Sequence, residues 1–250
     1  GSSPQLPALV VCLLLSKIFS IPFISEIRDL WPQVLIDLGG KDPQSLFIIF
    51  LSFIEKLIYK YSDHIIVLAK GSINYVKKRG AKNVSFLPNG SDLKQFKFHK
   101  LNPENNKFSI ERPLKLSYYG SHGEANGLSC IIDAAKILKN KHVKFLLIGD
   151  GPKKKFLIKK ASNLKNITFL EPLAKHQMPS FISQSDAVII TLKNIPLFKY
   201  GVSPNKLYDA YAIGRPIICN IGGDIAKEIE QYKIGFNSDS EDGESLAKSI

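Results

Sequence analysis

Leu114-Lys115-Leu116-Ser117-Tyr118-Tyr119-Gly120-Ser121-His122-Gly123-Glu124-Ala125-Asn126-Gly127 reads as a β-rich strand that stops in a glycine-rich loop and enters the helical pattern of residues 128–139. A second strand, 144–148, stops in Gly149-Asp150-Gly151-Pro152 and enters a helix over 153–163. Glycine supplies the backbone freedom of a tight strand-to-helix turn, and proline suits the first helical turn. Two strands joined through a helix lie parallel. The same rhythm continues outward, with strands expected at 23–27, 64–68, 84–87, 167–169, 187–190 and 216–219. Helices are expected at 44–59, 71–79, 205–213 and 225–231. Strands alternating with helices of this length predict an α/β fold with parallel sheets covered on both faces.

One stretch breaks the rhythm. Residues 91–113 are polar, hold Asn102, Pro103, Asn105 and Asn106, and show no period. The reading is therefore two Rossmann-like domains: 1–98, a linker at 99–112, and 113–250. Ligands of such folds bind beyond the carboxyl ends of the strands, near helix N-termini. No internal repeat or low-complexity tract is visible.

The composition, 44% hydrophobic and 22% charged, suits a chain that buries a sizeable core. A net charge of +12 suggests an anionic partner: a phosphorylated substrate, an anionic membrane surface or nucleic acid. Only Arg28, Arg79, Arg112 and Arg215 are arginines, and lysine spread through an Ile- and Asn-rich chain also fits a compositional bias. Aromatic residues do not interleave with basic clusters, so no nucleic acid partner is expected. Cys12, Cys130 and Cys219 lie far apart in apolar surroundings without metal-ligand spacing. They read as buried small hydrophobes in a reducing compartment, the cytosol. No metal site is expected.

Residues 6–19 are apolar but lack a basic leader and a small-residue cleavage site, so they do not read as a signal peptide. Pro7, Ser16 and Lys17 interrupt them, and the apolar stretch 46–54 ends at Glu55 and Lys56. Both are too short to span a bilayer and are expected as helices packed on a sheet. The chain opens at Gly1 without methionine, and residues 245–250 stop inside an amphipathic pattern. It is read as a piece cut at both ends.

Candidate site residues follow from the strand ends. The loop from Gly120 to Gly127 would bring backbone N–H groups and a helix dipole close to phosphate. A plain tight turn is the bland alternative. Ser203 or Pro204 opens a helix that Gly214 closes, and Lys206 in its first turn is disfavoured by the dipole unless an anion sits there. Asp209 shares a face with Lys206. A diphosphate held by helix and lysine, with the carboxylate on ribose hydroxyls, explains this arrangement, and a solvated Lys–Asp pair is the alternative. Near the other end, Glu26, Arg28, Asp29, Trp31 and Pro32 close the strand 23–27. They suit gripping a sugar or phosphate, or form an internal ion pair.

Three motifs in order resemble the family-4 glycosyltransferases: Leu87-Pro88-Asn89-Gly90-Ser91-Asp92, Leu147-Ile148-Gly149-Asp150-Gly151-Pro152, and Leu207-Tyr208-Asp209-Ala210-Tyr211-Ala212-Ile213-Gly214-Arg215-Pro216. Glu26-Ile27-Arg28-Asp29-Leu30-Trp31-Pro32 and Ser203-Pro204-Asn205-Lys206 most resemble bacterial N-acetyl-L-fucosamine transferases of surface-polysaccharide synthesis. The resemblance implies a GT-B fold, with an incomplete acceptor domain before the donor domain. It implies transfer, with retention, of a sugar such as an N-acetylated deoxyhexose. The donor would be a nucleoside-diphosphate sugar, with UDP expected, and the acceptor a lipid-linked oligosaccharide or other glycan. No cofactor is implied beyond that substrate, and the piece alone is expected to be inactive. Arg28, Asp29 and Lys206 would be catalytic. Gly120, Ser121, Asn126, Gly127, Pro172, Leu173, Pro204, Asn205, Lys206, Leu207 and Asp209 would bind the donor.

The departures are specific. Asp209 matches the second residue of the family's Glu-x7-Glu pair, and Gly201 stands at the first. Ser121 and Asn126 stand where the family has the Arg and Lys that hold the diphosphate, leaving Lys206 to replace them. Lysines and the two apolar helices would rest the enzyme on an anionic membrane, at the cytoplasmic inner face. Two other readings stay open: a nucleotide-sugar 2-epimerase of the same fold, and a non-catalytic nucleotide-sugar-binding partner protein.

Overall fold

The computed structural model describes residues 1–98 and 112–250, so nearly all of the expected linker lies outside the described residues. The chain forms two compact units. The first comprises Gly1–Asn89 and Ile195–Ser203, and the second Gly90–Asn194 and Pro204–Ile250. This division is not linear in sequence. The short segment Ile195–Ser203 returns to the first unit from within the second.

In the first unit the elements run α1 (Leu6–Ile18), β1 (Ile24–Ile27), α2 (Gln33–Asp37), α3 (Leu46–Tyr61), β2 (His64–Val67), α4 (Ser72–Lys78) and β3 (Val84–Phe86). The strands form a parallel sheet in the order β1-β2-β3, with Ile24 opposite His64 and Ile65 opposite Val84. Residues 1–3 continue it outward: Ser3 N–H donates to Glu26 O, and Glu26 N–H to Gly1 O, each at 2.8 Å. Ser45 caps α3 by accepting from Ile48 N–H. Leu9, Ile58, Ile65, Val67 and Val76 are fully buried at the centre of this unit.

The returning segment joins that core through Leu197. The Tyr200 ring meets Tyr75 edge-on at 5.0 Å, and Ser72 Oγ donates to Tyr200 O at 3.3 Å. Gly71 is required where the segment crosses, because a Cβ there would lie 2.5 Å from Tyr200 O. Asn89 holds the segment's end through Ser203, its N–H donating to Ser203 Oγ at 3.0 Å.

The second unit runs β4 (Leu114–Tyr119), α5 (Ser129–Ile137), β5 (Val143–Ile148), α6 (Lys154–Lys160), β6 (Ile167–Leu170), α7 (Met178–Ser183), β7 (Ala187–Ile190), α8 (Asn205–Ile213), β8 (Ile217–Cys219), α9 (Asp224–Tyr232), β9 (Gly235–Asn237) and α10 (Gly243–Lys248). Its six strands are parallel in the order β6-β5-β4-β7-β8-β9. The order reverses between β4 and β7, the point where doubly wound sheets hold ligands. Leu116, Phe145, Leu147 and Ile189 of the sheet are buried together with Ile131 of α5 and Leu246 of α10.

Three elements depart from the sequence reading: α2, α7 and β9 were not expected. Each is six residues or fewer, too short to display a period. The two apolar segments are helices as expected, and α1 packs against α3. Their packing is one-sided. Ile18, Phe47, Phe50 and Phe53 stand exposed on the outside.

Candidate functional site

The site is assembled at the carboxyl end of β4. Gly120 follows the strand at φ +131°, and Gly149 follows β5 at φ +137°. The two loops meet backbone to backbone: a Cβ on Gly149 would fall 1.9 Å from Gly120 O. Only glycine permits that approach. Tyr118 O–H donates to Ser121 O at 2.7 Å, Thr191 O–H to Asn126 O at 2.7 Å, and Lys193 N–H to Ala125 O at 2.9 Å. The loop is thus anchored to its own strand and to the segment after β7. Glu124 clips it further, taking Lys153 at 2.5 Å and Lys193, and these two ammonium groups hold its carboxyl below the usual range.

Lys206 enters this loop from the first turn of α8. Its Nζ lies 3.1 Å from Tyr118 Oη, 3.4 Å from Asn126 Oδ1 and 4.2 Å from the centre of the Tyr118 ring. Tyr119 O–H donates to Lys206 O at 2.8 Å and fixes the backbone beneath it. Part of the residue reaches the surface, but its ammonium end is enclosed, and desolvation lowers its pKa to about 7. Among the described residues no carboxylate pairs with it. An enclosed cation without a counter-charge is costly and becomes stable when an anion arrives. No side chain caps α8, because Pro204 occupies the cap position and Ser203 is engaged by Asn89.

The solvated Lys206–Asp209 pair, one alternative left by the sequence, is not what the chain forms. Asp209 Oδ1 instead accepts from Ser91 O–H at 2.6 Å, and burial raises its pKa while that bond lowers it. Of the other residues expected at the donor site, Gly127 closes the loop at φ +58°, and Asn126 contacts the lysine. Pro172 and Leu173 lie exposed after β6, and Asn205 is exposed at the start of α8. Leu207 is 1% exposed, and its N–H donates to Pro204 O, so its part is packing.

Arg28 and Asp29 belong to the first unit. Their backbone N–H groups donate to Ser3 Oγ at 2.8 and 3.3 Å, and no ion pair joins the two side chains among the described residues. Burial raises the Asp29 pKa, with Arg28 opposing.

Sequence reasoning missed Tyr118, which carries the lysine, and Ser91, which holds Asp209. A strand-terminal Tyr118-Tyr119 pair was the available signal for the first. His122 lies in the same glycine-rich loop. It is fully buried between the rings of Tyr118 and Phe169, 5.9 and 6.1 Å away. Neither ring nitrogen has a partner among the described residues, and burial lowers its pKa, with Lys154 adding to the effect.

The sequence profile described as "Glycosyl transferases group 1" matches residues 113–250, more than half of the chain and all the residues around Lys206. The chain belongs to the group 1 glycosyl transferases. This group 1 chain is similar to the probable glycosyltransferase WbjE of Pseudomonas aeruginosa, 25% identical over all of this chain and 64% of that protein. It is also 25% identical to the putative colanic acid biosynthesis glycosyl transferase WcaI of Escherichia coli (strain K12), over 80% of this chain and 51% of that protein. It therefore spans between half and two thirds of the length of these relatives. Among solved structures it resembles Anabaena HepE in complex with UDP and glucose, with TM-score 0.71 and 16% identity over 99% of this chain and 66% of that one. It also resembles the sucrose-phosphate synthase of Thermosynechococcus elongatus, with TM-score 0.76 and 16% identity over all of this chain and 62% of that one. At such identity the likeness establishes the fold, the parallel α/β architecture of GT-B glycosyltransferases.

Proposed function

We propose that this group 1 chain serves a retaining glycosyltransferase. It would move a sugar, an N-acetylated deoxyhexose in the preferred case, from a UDP donor to a lipid-linked oligosaccharide or other glycan. The observation that carries the reading is the Lys206 ammonium, enclosed without a carboxylate among the described residues at the glycine-rich loop where the strand order reverses. A diphosphate placed there meets Lys206, the loop from Gly120 to Gly127 and the uncapped start of α8. Lys206 then offsets the negative charge that develops on the departing diphosphate, the effect that dominates such transfers. Asp209 serves the ribose hydroxyls, and Pro172 and Leu173 serve the base. Arg28 and Asp29 serve the transferred sugar or the acceptor. HepE, of the same fold, is described in complex with UDP. The retaining outcome and the sugar follow from the sequence resemblance, as does work at the cytoplasmic face of an anionic membrane.

Calorimetric titration of UDP, GDP and ADP into the chain, with Asp209→Ala alongside, tests the donor site. UDP-selective binding that weakens in the variant is expected. No nucleotide binding by folded protein would refute the reading.

One observation favours a second reading, a non-catalytic nucleotide-sugar-binding partner. Gly201, at the position of the family's sugar-contacting glutamate, has φ +86°, and a Cβ there would lie 2.9 Å from Ala69 Cβ. A side chain at this position would be strained and would meet Ala69. UDP binding without sugar transfer, in a protein of the relatives' length, would favour this second reading.

A further inference from the structure

Tyr118, the penultimate residue of β4, is fully buried, and its phenol hydrogen is committed, because its O–H donates to Ser121 O at 2.7 Å. The phenol oxygen is left to accept, and the donor that reaches it is Lys206 Nζ at 3.1 Å. The same ammonium stands 4.2 Å from the centre of the Tyr118 ring, within range of a cation–π contact. Gly120 makes room for it, since a Cβ there would lie 3.3 Å from Lys206 Nζ. An accepting oxygen and an electron-rich ring face both favour the charged lysine over the neutral one.

The other groups that face Lys206 supply no charge. Burial holds Tyr118 and Tyr119 above the ordinary phenol value, pushes the Cys219 thiol up to about 12 and lowers His122. All four are therefore neutral at pH 7. Asp209, on the same helix, is taken by Ser91. Asn126 Oδ1 is the more distant polar contact, at 3.4 Å. Among the described residues Tyr118 thus gives the ammonium both its closest acceptor and an aromatic face.

We infer that Tyr118 is a positioning residue for donor binding, its phenol oxygen and ring face holding the Lys206 ammonium, charged, at the start of the Gly120–Gly127 loop. The inference rests on the donor-site reading above. It adds the group that sets the pH range over which Lys206 can receive a diphosphate. Without that oxygen, burial acts on the lysine with less opposition, and the ammonium is lost at a lower pH.

Tyr118→Phe tests this, because it removes the oxygen and keeps the ring. The first readout needs no ligand. The carbon-13 resonance of Lys206 Cε, assigned by its absence in Lys206→Ala, should titrate near pH 7 in the parent and at a lower pH in the variant. The second readout is UDP affinity by calorimetry. Tyr118→Phe should weaken it about 3- to 10-fold at pH 8, the worth of one hydrogen bond, and by less at pH 6, where more of the ammonium survives in the variant. In a Lys206→Ala background the same substitution should change affinity by less than about 2-fold. Equal losses in both backgrounds would overturn the proposal, because they would assign Tyr118 to loop support through Ser121 alone. An unshifted Lys206 midpoint would overturn it too. UDP binding weakened by Lys206→Ala but not by Tyr118→Phe would overturn the proposal alone, whereas no UDP binding by the parent would overturn the donor-site reading and the proposal with it. Should Tyr118→Phe not fold, the parent carries the test. Its Tyr118 Cζ resonance must then move with the Lys206 midpoint, and a signal that does not move overturns the proposal.

Discussion

Among the described residues each compact unit encloses one ionisable group whose pKa is driven to about 7, and the two groups are held in opposite ways. In the first unit it is Glu55 on α3, raised by desolvation, with the Arg79 guanidinium 3.0 Å away and Tyr59 and Tyr75 around it. In the second it is Lys206 on α8, lowered by desolvation, with a phenol and an amide for company and, among the described residues, no carboxylate. Glu55 has its counter-charge within the fold and belongs to the architecture. Lys206 lacks one, and that lack is what marks a binding site. The units differ in coverage as well. Among the described residues the sheet of the second unit has six strands and that of the first three, and Ile18, Phe47, Phe50 and Phe53 of the first stand exposed.

The largest effect is expected at Gly149. An alanine there must clear a backbone oxygen from 1.9 Å at positive φ, and a loss of more than about 4 kcal/mol is expected. At Gly40 in the first unit, φ is +59° but the space is open, so alanine should cost only about 1 kcal/mol. Denaturant unfolding measures both. Equal small losses would mean that the two loops of the second unit do not touch.

Glu55→Gln sharpens the electrostatic half. The folded-state pKa of Glu55, about 7, lies above its ordinary 4.5, so the fold prefers the protonated form. Its contribution is complete below pH 4.5 and is lost as pH rises through about 7, amounting to about 3 kcal/mol at most. Unfolding free energies across that window should decline less in the glutamine variant than in the parent. Parallel profiles would show that Glu55 keeps its charge through the Arg79 contact.

Lys206→Ala should weaken UDP binding about 10- to 100-fold, the worth of a charge-assisted bond to phosphate. The parent should bind best below about pH 7, where the ammonium is already charged, and take up a proton on binding above it. Calorimetry in buffers of different ionisation enthalpy measures that uptake, which the alanine variant should lack. Proton uptake that persists in the variant would assign it to another group.

The smallest effect is expected at Ser91→Ala, about 1 kcal/mol in stability. The lost hydrogen bond also releases Asp209 to a higher pKa, so UDP affinity should begin to fall on the acid side at a higher pH than in the parent. Coincident acid limbs would show that Ser91 does not tune Asp209.

The rhythm of strand, glycine-rich loop and helix could be read along the chain, because a period of 2, a period of 3.6 and the backbone habits of glycine and proline are local properties. Gly120, Gly127, Lys206 and Asp209 were legible for the same reason, lying just beyond strand ends or in the first turns of a helix. What these residues face was settled by the folded chain. Lys206 turned from Asp209, its neighbour along the helix, to Tyr118, a residue 88 positions away. Asp209 went to Ser91, 118 positions away. The segment carrying Leu197 and Tyr200 joined the core of the first unit rather than that of its sequence neighbours. Choices of this kind rest on non-local packing and desolvation, which depend on what the rest of the chain brings near and leave no periodic trace along the sequence.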